Sequence, residues 1–380
     1  MDLGVRKTRA DETDVLMAMF DYSRNLMRAA GNRDQWVGGY PQRSLVENDI
    51  AKGQSYVVTE GDAVAGTFVF FTDEEPTYRT IHHGHWMDES EGYGTMHRMA
   101  RSEGRHGIAA AAIGWCAQRT ESLRADTHED NYVVQRLLER HNFVYCGMIQ
   151  LEDGSWRKAY QRMNYLTVTP QLRMYVEERI LPLYDNFDEA HGRSHVLRVM
   201  AQSMALARHY GLNADMVYTI AAFHDAGLRE GRDTHHVVSG RYIRTWPILR
   251  QWFDAEQIEV MAQAAEDHRA SSLRAPRSIY GMIVAEADRD IDSERIVLRA
   301  LQFGLEHCPE AGKEGQWHRM VSHLRKKYGA DGYMKLWIPE SANARRLEEL
   351  RRLMEDEVRL RQLFERLYRP KQESGADDDA

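Results

Sequence analysis

"HVLRVMAQSMALARHYGLNADMVYTIAAFHDAG", residues 195–227, decides how the second half of this chain folds. Val196, Val199, Met200, Leu206 and Ala207 recur at helical spacing, and the run stops at Gly211. Asn213 suits the cap of a second apolar helix, which ends at another glycine, Gly227. His224 and Asp225 sit side by side at the end of that second run. Neither can enter a dry core without being used there.

Working outward from this stretch, helical signals continue to the end of the chain. "DAEQIEVMAQAAEDHR" opens with Asp254 three residues before Gln257, the pattern of a capping box. "SIYGMIVAEADRDID" and "RRLEELRRLMEDEVRLRQLFERLY" are further helices, and strand signals are gone after about residue 170. Upstream the pattern is mixed. "QSYVVTEGDAVAGTFVFF" predicts two strands joined at Gly61-Asp62; "TMHRMA", "SLRADT", "FVYCGMIQL" and "KAYQRM" predict more. "GIAAAAIGWCAQR" and "YVVQRLLERHN" predict the helices between them. The expected organisation is an α/β mixed-sheet domain over 1–165, an all-α domain over 166–370 and an acidic, disordered tail over 371–380.

Bulk properties narrow the function. A chain of 380 residues with 43% hydrophobic and 28% charged residues fits two globular domains. The net charge of −8 argues against a nucleic-acid partner. Cys116, Cys146 and Cys308 form no CxxC pair and no disulfide framework. The first residues carry no apolar signal core, and nowhere do 18 apolar residues run together. A cytoplasmic protein with no membrane partner is expected.

His224 and Asp225 have company in the sequence. His195 opens the preceding helix, and Asp288 lies on the helix of "EADRD". Three helices thus each offer a ligand-type side chain, a common way to build a metal site in a bundle. Imidazole with carboxylate suits Mn, Fe, Zn, Co, Ni or Mg, and the residue types alone do not choose among these divalent metals. The order H…HD…D, with its first histidine in "HVLRV", resembles the HD-domain superfamily of metal-dependent phosphohydrolases over roughly residues 176–365. The resemblance implies an HD-type helical domain with His195, His224, Asp225 and Asp288 as metal ligands. It also implies His224 and Asp225 as the catalytic centre and a metal that lowers the pKa of a bound water attacking phosphorus. His236, from "DTHHVVSG", and His268, from "EDHRASS", are candidates for a second metal or for substrate phosphate. His191 is expected beside the ligands rather than among them. Arg269, Arg274, Lys326 and Lys327 are candidates to meet an anionic substrate. A nucleotide sensor and a di-iron oxygenase are the competing readings of this domain.

"MHRMARSEGRHGIAAAAIGWC" (96–116) followed by "LRADTHEDNYVVQRLLERHNFVYCGMI" (123–149) resembles the GNAT acetyltransferase superfamily, over most of residues 1–165. A strand, a glycine-containing turn and a helix start leave backbone N–H groups unpaired, an anion cradle. The resemblance implies a GNAT-like mixed sheet in which Arg105, His106, Gly107, Ile108, Ala109 and Asn131 hold acetyl-CoA. Gly104 stands where the family's turn commonly has Arg or Gln, and Leu138 where a tyrosine acid often sits. Tyr160, Asp126 and His128 are the substitutes for that acid, and Trp36 and Tyr40 are candidates to shape the acceptor site. The combined expectation is a bifunctional enzyme with two kinds of partner. One is a small-molecule amine acceptor; the other is a phosphate-containing small molecule, a nucleotide or small phosphate ester.

Overall fold

The computed structural model describes residues 3–89, 92–188, 190–269, 274–289 and 291–369, and the expected acidic tail at 371–380 lies outside them. The chain divides into two compact units, Met1–Ala222 and Phe223–Ala380.

The first unit is built on a seven-stranded sheet in the order β1-β2-β3-β4-β5-β7-β6. In chain order its elements are β1 (Leu3–Lys7), α1 (Thr13–Ala29), α2 (Arg43–Ala51), β2 (Ser55–Glu60), β3 (Ala63–Phe71), β4 (Tyr93–Arg101), α3 (Ile108–Ala117), β5 (Ser122–Thr127), α4 (Tyr132–Arg140), β6 (Val144–Gln150) and β7 (Trp156–Met163). Three helices follow: α5 (Pro170–Tyr175), α6 (Arg193–Tyr210) and α7 (Ala214–Phe223). Every neighbouring pair of strands is antiparallel except β4 with β5. That parallel pair needs a crossover, which α3 supplies. It is also short: partners are matched only from Tyr93 with Ser122 to Thr95 with Arg124. Beyond Thr95 and Arg124 the two strands part, and the sheet opens into a cleft.

Packing under the sheet explains where the sequence puts its apolar residues. Phe68, Ile113, Leu123, Leu138 and Tyr160 form one core with α3 and α4, and Leu16, Met19, Phe20 and Val57 form another under α1. Below the short β4–β5 pairing, Arg124 is buried between the rings of Trp86 and Tyr93, at 4.1 and 3.9 Å from their centroids, and donates to the Asp88 carbonyl at 3.0 Å. The unit runs past the last strand because the helices after it are tied to the sheet. Arg208 pairs with Asp88 at 2.8 Å, Arg198 donates to the Tyr145 carbonyl at 2.5 Å, and Thr169 binds Asp215 through amide and hydroxyl at 2.8 and 2.6 Å.

The second unit is helical: α8 (His235–Thr245), α9 (Ala255–Asp267), α10 (Ile279–Ala287), α11 (Ser293–His307), α12 (Gly312–Tyr328), α13 (Ala342–Glu355) and α14 (Glu357–Leu367). The Asp254–Gln257 capping box forms at the start of α9, in both directions. Arg244 of α8 grips Glu259 of α9 at 2.8 and 2.9 Å, which pulls the Glu259 carboxyl down to about 2. Leu301, Met320, Leu324, Leu350 and Phe364 make a core shared by α11 to α14. Among the described residues, no helix is long and apolar enough to cross a membrane.

Glu286 joins α10 to the segment before α13. Its side chain is fully buried and accepts from the Trp337 amide at 2.7 Å, from the Ile338 amide at 3.4 Å and from the Ser341 hydroxyl. Burial raises its carboxyl above the ordinary range, against the pull of these donors. Removing the acceptor strands buried N–H groups, at about 1–3 kcal/mol for each unsatisfied group. Glu286→Ala is expected to destabilise the second unit by about 2–4 kcal/mol on that basis, and Glu286→Gln by less, because its amide oxygen still accepts. Urea unfolding of the two variants beside the wild type checks the order.

Candidate functional site

The second unit begins at Phe223, the last residue of helix α7. Tyr184, itself buried, donates to the Ala222 carbonyl at 2.9 Å and fixes the last turn of that helix. Past it, His224 is fully buried and Asp225 is 2% exposed. His224 Nε2 lies 3.4 Å from Asp225 Oδ2 and 3.7 Å from Asp288 Oδ1, so ligand-type atoms of His224, Asp225 and Asp288 gather within 4.8 Å of one another. Burial alone would raise the Asp225 carboxyl. The His224 imidazole beside it brings it well below the ordinary carboxylate range instead.

The other oxygen of Asp225 belongs to a second group. His235 Nε2 and His268 Nε2 each lie 3.3 Å from Asp225 Oδ1 and 3.2 Å from each other. Their opposite nitrogens face carbonyl oxygens, His235 Nδ1 to Arg232 at 2.6 Å and His268 Nδ1 to Ala265 at 2.6 Å. A carbonyl only accepts, so each Nδ1 carries a hydrogen, and in the neutral form of such a ring the Nε2 lone pair turns inward. Burial holds the His235 imidazole below its usual range, which favours that neutral form. With Nε2 free of a proton on both rings, the two nitrogens and the Asp225 oxygen would make three electron-pair donors, a set that suits a cation.

Here the structure departs from the expectation that paired His236 with His268. His235 takes that place. Adjacent residues on a helix point about 100° apart, so only one of the two can face Asp225, and His236 Nδ1 is buried without a partner among the described residues. The close contact of the "HDAG" loop with α8 selects His235. A Cβ on Gly227 would stand 2.1 Å from the His235 carbonyl, and the Gly227 amide donates to Ser239 Oγ at 3.0 Å. His195 sits half-buried in the first turn of α6, in the first unit, with its ring 6.1 Å from that of His191. His191 is held by Asp188 at 2.8 Å. Of the cationic candidates, Arg269 donates to the Asp233 carbonyl at 2.6 Å, and Arg274 and Lys326 are exposed. Burial, with Arg299 and Arg289 nearby, lowers the pKa of Lys327.

The first unit carries a cleft of about 860 Å³ where β4 and β5 part. Ile108 and Ala109 line it at the first turn of α3, whose amides have no partner inside the helix. Gly107 caps that helix with φ of +75°, and Gly104 in the same turn has φ of +70°. The left-handed turn thus explains a glycine where the family's turn commonly has Arg or Gln. Arg105 is not free for an anion: its guanidinium pairs with Glu60. Arg101 lines the cleft and braces the turn through the Ser102 and Arg105 carbonyls, at 3.3 and 3.2 Å. Asn131 lines the cleft as well, with its side chain capping α4 through the Val134 amide at 3.2 Å and donating to Gln35 at 2.8 Å.

Among the acid candidates, Asp126 and His128 line the cleft, whereas Tyr160 does not. Tyr160 is 1% exposed within the sheet core, where burial raises its hydroxyl far above use. Its alternation along β7 points it under the sheet. Leu138 is likewise core. Trp36 and Tyr40 line the cleft, and the Tyr40 hydroxyl accepts at 3.2 Å from Arg98, which is locked to Asp49 at 2.9 and 3.0 Å. His97 on β4 lines the cleft too and stands 3.6 Å from Asp126 across the parting strands, a placement that the strand alternation of "TMHRMA" alone does not reveal.

Known proteins fit both halves. Residues 192–290 match the HD domain family. A GNAT-family acetyltransferase from Streptococcus agalactiae 2603 shares 30% of its residues with the chain, over 42% of this chain and 95% of that one, with a TM-score of 0.40. Another, from Listeria monocytogenes 4b F2365, is 17% identical over 42% and 94%, with a TM-score of 0.34. A predicted HD superfamily hydrolase from an uncultured Thermotogales bacterium is 21% identical over 52% of this chain and 93% of that one, with a TM-score of 0.32. No curated protein is matched. On the strength of the shared sequence, the chain belongs to the GNAT acetyltransferase family in its N-terminal region and carries an HD domain at residues 192–290.

Proposed function

We propose that the protein is a bifunctional enzyme. Its first part transfers an acetyl group from acetyl-CoA to a small-molecule amine, and its HD domain hydrolyses a nucleotide or another small phosphate ester with the help of a divalent metal. The observation that carries the second half is the buried Asp225 carboxylate, contacted by imidazole on both oxygens. His224, Asp225 and Asp288 of the matched segment would hold the catalytic metal. His235 and His268 with the second oxygen of Asp225 would hold another cation. A divalent metal there would acidify a water and offset the negative charge of a phosphate. The chain's own part is to keep Asp225 ionised, to fix His235 and His268 in the right tautomer through carbonyl oxygens, and to exclude bulk water by burial. His236 falls to a neighbouring role on the rim of that group.

For the first half, the α3 amides at Ile108 and Ala109 would cradle the pyrophosphate, with the thioester supplying the acetyl group. Atoms balance simply. The neutral amine forms a bond to the thioester carbon, the carbon–sulfur bond breaks with its pair on sulfur, and the nitrogen's surplus proton ends on the thiolate. His128 and Asp126 on the cleft wall are the groups available to the acceptor end. Cys116 and Cys146, buried and unpaired, with an unpaired Cys308, support a reducing, cytoplasmic setting.

The same residues also favour one second reading, a di-iron oxygenase, because Asp225 belongs to both groups of ligand-type side chains and could serve two cations. The two readings separate in one experiment. Wild type and Asp225→Ala are assayed for phosphate release from nucleotides and phosphomonoesters with Mn²⁺, Co²⁺, Ni²⁺ and Mg²⁺, and for oxygen uptake after iron loading. Metal-dependent phosphate release, lost by at least a hundredfold in the variant, is the expected outcome; iron-dependent oxygen uptake without phosphate release would replace it with the oxygenase.

Two further outcomes follow from the geometry. Elemental analysis should show that the double substitution His235→Ala, His268→Ala removes one metal per chain, and that Asp225→Ala removes both. In calorimetry, Ala109→Glu should weaken acetyl-CoA binding at least tenfold, by setting a carboxylate against the pyrophosphate, without altering metal content.

A further inference from the structure

We propose that His97 is the base that takes a proton from the incoming ammonium group of the acyl acceptor, with Tyr78 and Asp126 as its positioning residues. The inference rests on the acetyltransferase reading above and names a residue for it.

The three side chains come together because the sheet parts. Val69 faces His97 but Thr67 faces Ala100, so β4 holds an extra residue between these pairs, and Arg98 there has φ of +50°. Such a bulge re-aims the side chains next to it. It places His97 on the cleft wall, one strand from Asp126 on the freed end of β5. Tyr78, 1% exposed, lies between them: its hydroxyl donates to Asp126 Oδ1 at 2.7 Å and stands 3.2 Å from His97 Nε2. His97 Nε2 is also 3.6 Å from Asp126 Oδ1.

Hydrogen counting fixes the tautomer. Tyr78 has one proton, and the carboxylate takes it. Burial and the neighbouring Asp126 hold that phenol far above its usual range, so it stays protonated. Toward His97, the phenol oxygen can then only accept, so Nε2 carries hydrogen and the neutral ring has its lone pair on Nδ1. Among the described residues no group bonds Nδ1. Burial lowers the affinity of His97 for protons, opposed by Asp126, aided by Arg98, and opposed again by Glu75 and Asp49. The ring is therefore neutral at pH 7 and ready to receive a proton. In the step itself, an ammonium N–H bond breaks, its electron pair stays on nitrogen, and an Nδ1–H bond forms. The imidazolium that results keeps Asp126 and the Tyr78 oxygen at its other nitrogen, which is the relation by which a carboxylate supports a histidine base.

The test uses the full-length protein and acceptors of two kinds. Primary alkylamines, from methylamine to spermidine, arrive protonated at pH 7; alkoxyamines arrive neutral. For His97→Ala, acetyl transfer to the alkylamines should fall about 10²–10⁴-fold, the usual contribution of a positioned base. Transfer to the alkoxyamines should stay within about threefold, on the same reasoning, since they need no proton removed before attack and their surplus proton leaves afterwards with the thiolate. Added imidazole should restore part of the alkylamine rate. Equal losses with both kinds of acceptor, or no rescue, would show that His97 only shapes the cleft. Acetyl-CoA binding by calorimetry isolates the underlying reading. If wild type binds no acetyl-CoA, or binds it and acetylates neither kind of acceptor, the transferase assignment fails first and His97 as a base falls with it.

Discussion

A carboxylate buried to 2% exposure cannot stay charged unless its surroundings replace the water it has lost, and this constraint on Asp225 organises the residues around it in the second unit. Both oxygens are engaged by imidazole, and those rings are oriented in turn by backbone carbonyls. The geometry spreads outward from there. Gly227 has no room for a Cβ because α8 must come close enough to bring His235 to Asp225. Gly240 is in the same position on the next turn, where a Cβ would meet Glu266 and the Ala262 carbonyl of α9, the helix whose end carries His268. Two glycines thus set the approach of three segments around one carboxylate.

The first unit meets its own requirement by a different device. A sheet normally spends its backbone donors and acceptors on neighbouring strands. Here β4 and β5 stay paired for three residues and then part, so the strand ends and the α3 start turn unspent polar groups and side chains toward one cleft. The parting is stabilised from beneath: Arg124 fills the base of the pair, held by two aromatic faces and the Asp88 carbonyl, while Gln161 of β7 ties Met87 and Ser122 at 2.7 and 2.8 Å. Asp88 also receives Arg208 of α6. The rigid floor keeps the opening in one place.

Much of this was legible in the sequence, for reasons that can be named residue by residue. The hairpin at Gly61-Asp62 was readable because a two-residue turn constrains both backbone angles and composition, and Glu60 does pair with Ala63. "SLRADT" matches β5 from end to end because it is a short strand bounded by a turn and a capping asparagine. The His-Asp pair stood out because an apolar helix cannot hide it. By contrast, α1 went unread: its buried positions Leu16, Met19 and Phe20 are interspersed with Asp14, Asp21 and Arg24, and local charge masked the stripe. The choice of His235 over its neighbour depends on a glycine contact between segments that are close only in space. So does the pairing of Arg105 with Glu60, which removes from the anion cradle a side chain that chain order had put there.

His97 illustrates the limit most clearly. In sequence it is one histidine in a strand, and strands carry histidines for no reason of chemistry. Its meaning comes from the bulge at Arg98, which only the register of β3 against β4 reveals, and from Tyr78, which arrives from a short turn outside any strand. Tyr78 is the decisive member. A phenol has a single hydrogen, so committing it to Asp126 forces the opposite lone pair to accept from His97, and that in turn decides which imidazole nitrogen faces the cleft. The same bookkeeping of protons, applied to His235 and His268, puts a hydrogen on each Nδ1 and leaves each Nε2 facing Asp225. In each unit a group that can only accept, a carboxylate or a carbonyl oxygen, fixes where the proton sits on a histidine, and the free nitrogen takes the chemistry left to it.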